Sequence, residues 1–195
     1  MIGNRIGHRL DPYINHVLKK LHGSRGNPNV YTLLGFFATL VACALIIREL
    51  WFSAGLAIIL SGLFDLFDGV VARELGRVTE FGGFLDSVLD RYSDLILLMA
   101  LVIFYSRRGE STLVIVTSFV GIGTALIPYT RARAEAAQIP CTIGLMERAE
   151  RIILLSVGAL LHCMGPILWI LAVLTHFTVL QRIWYVWKTL KRTRE

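Results

Sequence analysis

Charge is scarce in this chain. Lys, Arg, Asp and Glu make up 17% of its 195 residues, against 55% apolar, and the mean hydropathy is +0.62. An ordinary soluble domain carries about 25% charged residues, so that class is excluded. Cysteine is scarcer still. Cys43, Cys141 and Cys163 are scattered without the paired spacing of a metal site. Two of them fall in apolar segments, where a thiol is a small hydrophobe. The five histidines form no pair at helical spacing on a candidate site, and His162 and His176 read as helix-end or interface residues. Internal repeats and low-complexity segments are absent. Secondary transporters commonly show repeated halves with helices broken at matching positions, so that lack weighs against a transporter. No secretory signal is expected, because the first long apolar stretch begins near Val30, after Arg5, Arg9, Lys19 and Lys20.

What the chain has instead is long apolar runs. Spanning a bilayer takes roughly 20 residues of helix, and runs of that order recur near 30–49, 52–74, 84–106, 111–133, 149–164 and 166–187. The expected fold is an all-α integral membrane protein with six transmembrane helices. The fifth run is short and ends at Gly165-Pro166, so 149–187 forms either two tightly joined helices or one kinked helix. Ahead of the spans, residues 11–22 place Tyr13, Ile14, Val17, Leu18 and Leu21 on one helical side with Lys19 and Lys20 opposite. That pattern suits an amphipathic helix lying on the membrane surface, although a solvated lead-in would also tolerate it. The domain plan is therefore a cytoplasmic segment 1–29, a six-helix domain 30–188 and a basic tail 189–195.

Charge sets the orientation. Of the 20 Lys and Arg, only Arg48, Arg107 and Arg108 fall on one side of this plan. The richer side is cytoplasmic by the positive-inside rule, which makes this a multi-pass protein of the cell membrane. The net charge of +6 follows from topology and from anionic lipid or substrate, so no nucleic-acid partner is needed to explain it.

Four carboxylates stand where a bilayer disfavours them, in the run Asp65-x2-Asp68-Gly69-x2-Ala72-Arg73-x8-Gly82-x3-Asp86-x3-Asp90. Carboxylates at membrane depth face a cavity, a partner charge or a metal. Asp65 and Asp68 are three residues apart, Asp86 and Asp90 four, so each pair shares a helix face. Two such faces turned together make an all-oxygen cage suited to Mg²⁺ or Mn²⁺. Without cations four clustered carboxylates would repel strongly. Gly69 and Gly82 let backbone approach closely, and Ala72, two turns after Asp65, leaves room on the same face. Arg73 offers a charge for a phosphate or a carboxylate. Two cations can bridge a diphosphate and stabilise both the attacking and the leaving oxygen of an in-line displacement. A carboxylate must then take the proton of the attacking hydroxyl, and Asp90, the outer member of its pair, fits that task. Asp94, four residues further on, either extends the site or pairs with a helix neighbour such as Arg91; the structural role is favoured.

This signature resembles that of the CDP-alcohol phosphatidyltransferase family at every fixed position. The resemblance implies six membrane helices after a short interfacial helix and a homodimer. It also implies Mg²⁺- or Mn²⁺-dependent transfer of a phosphatidyl-type group from a CDP-linked lipid to an alcohol, with release of CMP. On it, Asp65, Asp68 and Asp86 are metal ligands and Asp90 is the general base and also touches a metal. Gly69, Ala72, Arg73 and Gly82 line the nucleotide site together with the first aspartates. Upstream, Asn27-Pro28-Asn29-Val30-Tyr31-Thr32 resembles the family's approach to its first membrane helix. There Asn29 and Thr32 contact the nucleotide or, equally, cap the helix.

The acceptor has to be read elsewhere. Arg131, Arg133, Arg148 and Arg151 flank the stretch between the fourth and fifth spans, and Arg182 lies further along. Guanidinium binds phosphate bidentately, so these residues suit an acceptor that itself carries a phosphate. Positive-inside anchoring, and pairing with Glu135, Glu147 and Glu150, account for them equally well on charge alone. The Arg-Ala-Arg-Ala-Glu-Ala segment followed by Glu-Arg-x-Glu-Arg resembles the phosphatidylinositol-phosphate and archaetidylinositol-phosphate synthase branch, which implies inositol 1-phosphate as acceptor. Glycerol 3-phosphate is the close alternative. From another class, a transporter using intramembrane carboxylates is the rival.

Overall fold

The computed structural model describes residues 28–74 and 79–194, apart from the side chains at 73, 74, 193 and 194. The amphipathic stretch 11–22, Asn27 and the Arg73 side chain therefore lie outside the described residues. Within them the chain is helical with no strand: α1 Pro28–Ile47, α2 Trp51–Glu74, α3 Glu80–Arg107, α4 Ser111–Ala136, α5 Arg148–Leu160 and α6 Met164–Arg194. By length and composition α1, α2, α4 and α6 are long and apolar enough to cross a membrane. The other two differ for physical reasons. α3 has 28 residues but carries Asp86, Asp90, Arg91 and Asp94 between its start and its middle, and α5 has only 13.

The connections on one side are abrupt. Glu49, Gly109 and His162 each adopt a positive φ of 62°, 72° and 55°, reversing the chain within about three residues. The stretch 149–187 is thus two helices. The break falls before Gly165-Pro166, and these two residues sit in the first turn of α6, where a proline loses no helical hydrogen bond. α6 continues through 189–194 to Arg194, so the described part of the basic tail is the end of this helix.

The six helices close a ring. Among the described residues α1 packs on α2 and α3, α2 on α5, α5 on α6, α6 on α4 and α4 on α3. The two ends of the ring differ in chemistry. Ile46, Ile58, Leu101, Val120, Ala159, Leu168 and Leu171 fill the end near the tight turns with an apolar core. Burying each such side chain contributes about 1.5–3 kcal/mol, which makes this end the anchor of the fold. Polar side chains project from the other end. There the longer link from α4 to α5 is pinned down by α6: Arg182 donates through Nε to the Ile143 carbonyl at 2.8 Å and through Nη1 to the Ile127 carbonyl, and Met146 N–H donates to Thr178 Oγ1 at 3.0 Å.

Candidate active site

The aspartates come from two helices that are not neighbours in the ring. α2 presents Asp65 and Asp68, α3 presents Asp86 and Asp90, and among the described residues the two helices do not pack on each other. Their carboxylates instead face a shared polar space. Asp86 repels both Asp65 and Asp68, which places the three in mutual electrostatic reach. Asp68 is 7% exposed and accepts a hydrogen bond from Thr32 Oγ1 at 2.8 Å. Thr32, the fifth residue of α1, thereby orients a site carboxylate.

Two glycines admit α1 to this space. A Cβ at Gly35 would stand 2.9 Å from Asp65 Oδ1, nearer than real Cβ atoms come. A Cβ at Gly82 would stand 2.8 Å from Thr79 Oγ1 and 3.2 Å from Asn29 Oδ1. Thr79 caps α3 by accepting from Gly82 N–H at 3.0 Å. Asn29, Thr79 and Gly82 thus meet where α1 and α3 begin, beside the aspartates.

Arg148, the first residue of α5, reaches between the aspartate helices. Its Nη2 lies 2.6 Å from Asp65 Oδ2 and its Nη1 pairs with Asp90. One turn later Arg151 reaches the same way, with Nη2 2.5 Å from Asp94 Oδ2 and Nη1 3.3 Å from the Met146 carbonyl. Arg151 and Asp94 are 3% and 8% exposed. Asp94 is therefore paired across the ring, not with Arg91 on its own helix.

The fit to a divalent cation can be judged from these donors. Four carboxylates offer only hard oxygen ligands, the set preferred by Mg²⁺ and Mn²⁺, and a guanidinium already stands where Asp65 and Asp90 converge. Among the described residues no three of them are gathered tightly enough to hold one ion as they stand. In donor chemistry, all carboxylate oxygen, the residues fit the group.

Beside the carboxylates opens a cavity of about 630 Å³, lined by Asp65, Arg91, Arg131, Arg148, Arg151 and Arg182 and by the apolar Ile59, Leu63, Ile153, Val157 and Leu160. Four of the five acceptor arginines expected from the sequence meet here. Arg133 is exposed and does not line the cavity. Gly35 and Arg91 were not anticipated as site residues. Gly35 lies one turn after Thr32 on the same face of α1, which was the available signal, and Arg91 read only as a neighbour's ion partner.

Known proteins agree with this geometry. The family model described as CDP-alcohol phosphatidyltransferase matches residues 26–184. An archaetidylinositol phosphate synthase of Methanothermobacter thermautotrophicus is 39% identical over 167 residues, covering 82% of this chain and 83% of that one. The crystal structure of Mycobacterium tuberculosis phosphatidylinositol phosphate synthase with CDP-DAG bound superposes with a TM-score of 0.77 at 30% identity, over 94% of both chains. The same enzyme in complex with manganese and citrate gives 0.77 at 30% identity, over 90% of this chain and 88% of that one. The chain belongs to the CDP-alcohol phosphatidyltransferase family and is an enzyme of that class.

Proposed function

We propose that the protein transfers the phosphatidyl-type group of a CDP-linked lipid to inositol 1-phosphate, releasing CMP, at the cytoplasmic face of the cell membrane. The observation that carries this is a single cavity joining the carboxylate cluster to Arg91, Arg131, Arg148, Arg151 and Arg182. So much guanidinium suits an acceptor that brings its own phosphate and exceeds what a neutral polyol needs. The archaetidylinositol and phosphatidylinositol phosphate synthases among its relatives support the same acceptor.

In this reading Asp65, Asp68 and Asp86 hold two divalent cations, Mg²⁺ or Mn²⁺, with Asp90 at their edge. When bound, the cations supply charge to the diphosphate oxygens and the departing CMP. Thr32 fixes Asp68, and Asn29, Gly69, Ala72, Arg73 and Gly82 surround the cytidine and diphosphate. Asp90 takes the proton of the acceptor hydroxyl, which becomes a competent nucleophile only as it loses that proton. Arg131, Arg148, Arg151 and Arg182 give the cavity the positive charge that draws a phosphate-bearing acceptor. The exposed apolar side chains of the cavity, Ile59, Leu63, Ile153 and Val157, suit the lipid end of the substrate where it leaves the site for the bilayer.

All six helices cross the membrane in this arrangement. α3 turns its acidic half into the ring, away from lipid. α5 is roughly 20 Å long at 1.5 Å per residue, short of the ~30 Å hydrocarbon core. Its link to α4 makes up the depth, because irregular backbone is tolerated where protein buries it, and Ile139, Cys141 and Met146 are buried. The family resemblance adds an interfacial helix before α1 and a homodimer.

The test is CMP release by the purified protein from CDP-diacylglycerol, and from its ether-lipid counterpart, with Mg²⁺ or Mn²⁺. Inositol 1-phosphate, glycerol 3-phosphate, free inositol and serine are compared as acceptors. Release with inositol 1-phosphate alone is expected. Release with glycerol 3-phosphate alone would keep the chemistry and change the acceptor, and no release with any of them would overturn the assignment.

A further inference from the structure

The five arginines of the cavity differ in how many donors they have left to offer. A guanidinium carries five N–H groups in a fixed fork. Arg151 gives one Nη to Asp94 at 2.5 Å and the other to the Met146 carbonyl at 3.3 Å. Arg182 holds the Ile143 and Ile127 carbonyls, with Glu147 3.9 Å from Nη2. Both are buried, at 3% and 2% exposure, so turning either fork toward a ligand would orphan buried partners. Arg148 is held between Asp65 and Asp90, and its Nε, like that of Arg151, has no hydrogen-bond partner among the described residues but is buried away from the open cavity wall. Arg91 is different. Its Nε makes a 3.3 Å bond to the Ser87 carbonyl of its own helix, and Nη2 lies 4.0 Å from Asp90 Oδ2, beyond hydrogen-bonding distance. Among the described residues nothing else engages its Nη groups, and its side chain is 36% exposed on the cavity wall.

We propose that Arg91 binds the phosphate of the acceptor and thereby determines which acceptors are used. This rests on the transfer reaction assigned above. Arg91 Nη2 lies 4.0 Å from Asp90 Oδ2, so a phosphate on the Arg91 fork brings the same small molecule's hydroxyl near the residue that takes its proton. Arg131, on the neighbouring helix α4, lines the same cavity and commits only Nε, at 2.8 Å to Glu135. It can grip the phosphate from the other side. An acceptor without a phosphate gains nothing from either fork.

The experiment measures steady-state kinetics of Arg91→Gln and Arg91→Lys alongside inositol 1-phosphate affinity by calorimetry in detergent with Mg²⁺. Losing a fork's charge-assisted bonds should raise the acceptor KM and Kd at least about tenfold in Arg91→Gln, with the KM for CDP-lipid within about twofold. Arg91→Lys should fall between, because an ammonium keeps the charge and loses the bidentate geometry. Were Arg91 merely a partner of Asp90, kcat would fall with the acceptor KM and Kd unchanged, which would overturn the proposal. Equal rises in both KM values would overturn it too. Wild-type protein that releases no CMP with any acceptor sinks the transfer reading instead. In that case the calorimetry still decides for Arg91, since equal affinities of wild type and Arg91→Gln refute it.

Discussion

At Asp90 two demands meet on one carboxylate: it pairs with Arg148 and, in the proposed reaction, must accept a proton. Asp90→Asn keeps the shape and removes the basicity. Turnover is expected to fall by about 10²–10⁴-fold, the range usual for general-base loss, while CDP-lipid binding measured separately stays close to wild type. A variant that still turns over within a few-fold of wild type would remove Asp90 from this role. The aspartates were legible in the sequence because charge at membrane depth needs a reason and because spacings of three and four imply one helix face. Gly35 was not legible as a site residue. Its lack of a side chain matters only because Asp65, thirty residues on, comes to 2.9 Å from where a Cβ would sit.

Between elements, the Arg151–Asp94 pair joins α5 to α3, which do not pack on each other around the ring. With Arg148–Asp90 one turn away it forms a two-rung ladder: arginines three apart on α5 face aspartates four apart on α3. The second rung is the more buried. Removing one member of such a pair strands a charge, at a cost of about 3–5 kcal/mol, whereas replacing both with apolar residues of similar volume is often neutral. Arg151→Met should therefore lower the unfolding temperature in detergent well below wild type, and adding Asp94→Leu should restore most of the loss. A double variant no more stable than Arg151→Met would mean the rung contributes packing and not charge balance. Helix existence and order were legible from the apolar runs; an interruption at Gly165-Pro166 was legible too, but not whether it kinks one helix or separates two. The partner of Asp94 was not, since helix spacing names only same-helix neighbours such as Arg91, and Arg151 becomes reachable only once the ring closes.

For the molecule as a whole, the closed ring explains how an apolar chain keeps ionised groups inside it. Each helix shows lipid-compatible residues outward, Phe37, Met99, Ile115 and Val173 among them. The acidic half of α3 and the basic start of α5 face each other across the interior. The open, polar end coincides with the basic side of the sequence, and the tight turns carry Arg48, Arg107 and Arg108 on the other. That correspondence makes the orientation testable without any substrate. Cys43 and Cys141 are buried and Cys163 half-buried, so all three can be changed to alanine to give a silent background. In it, Thr142→Cys marks the exposed link beside the arginine cavity, and Arg107→Cys marks the exposed end of α3. A membrane-impermeant maleimide should label position 142 in inside-out vesicles and position 107 in right-side-out ones. Both positions labelled from one side would mean an even number of crossings between them, incompatible with α4 traversing the bilayer once; the reversed pattern would put the site outside the cell and the basic residues on the side the positive-inside rule disfavours.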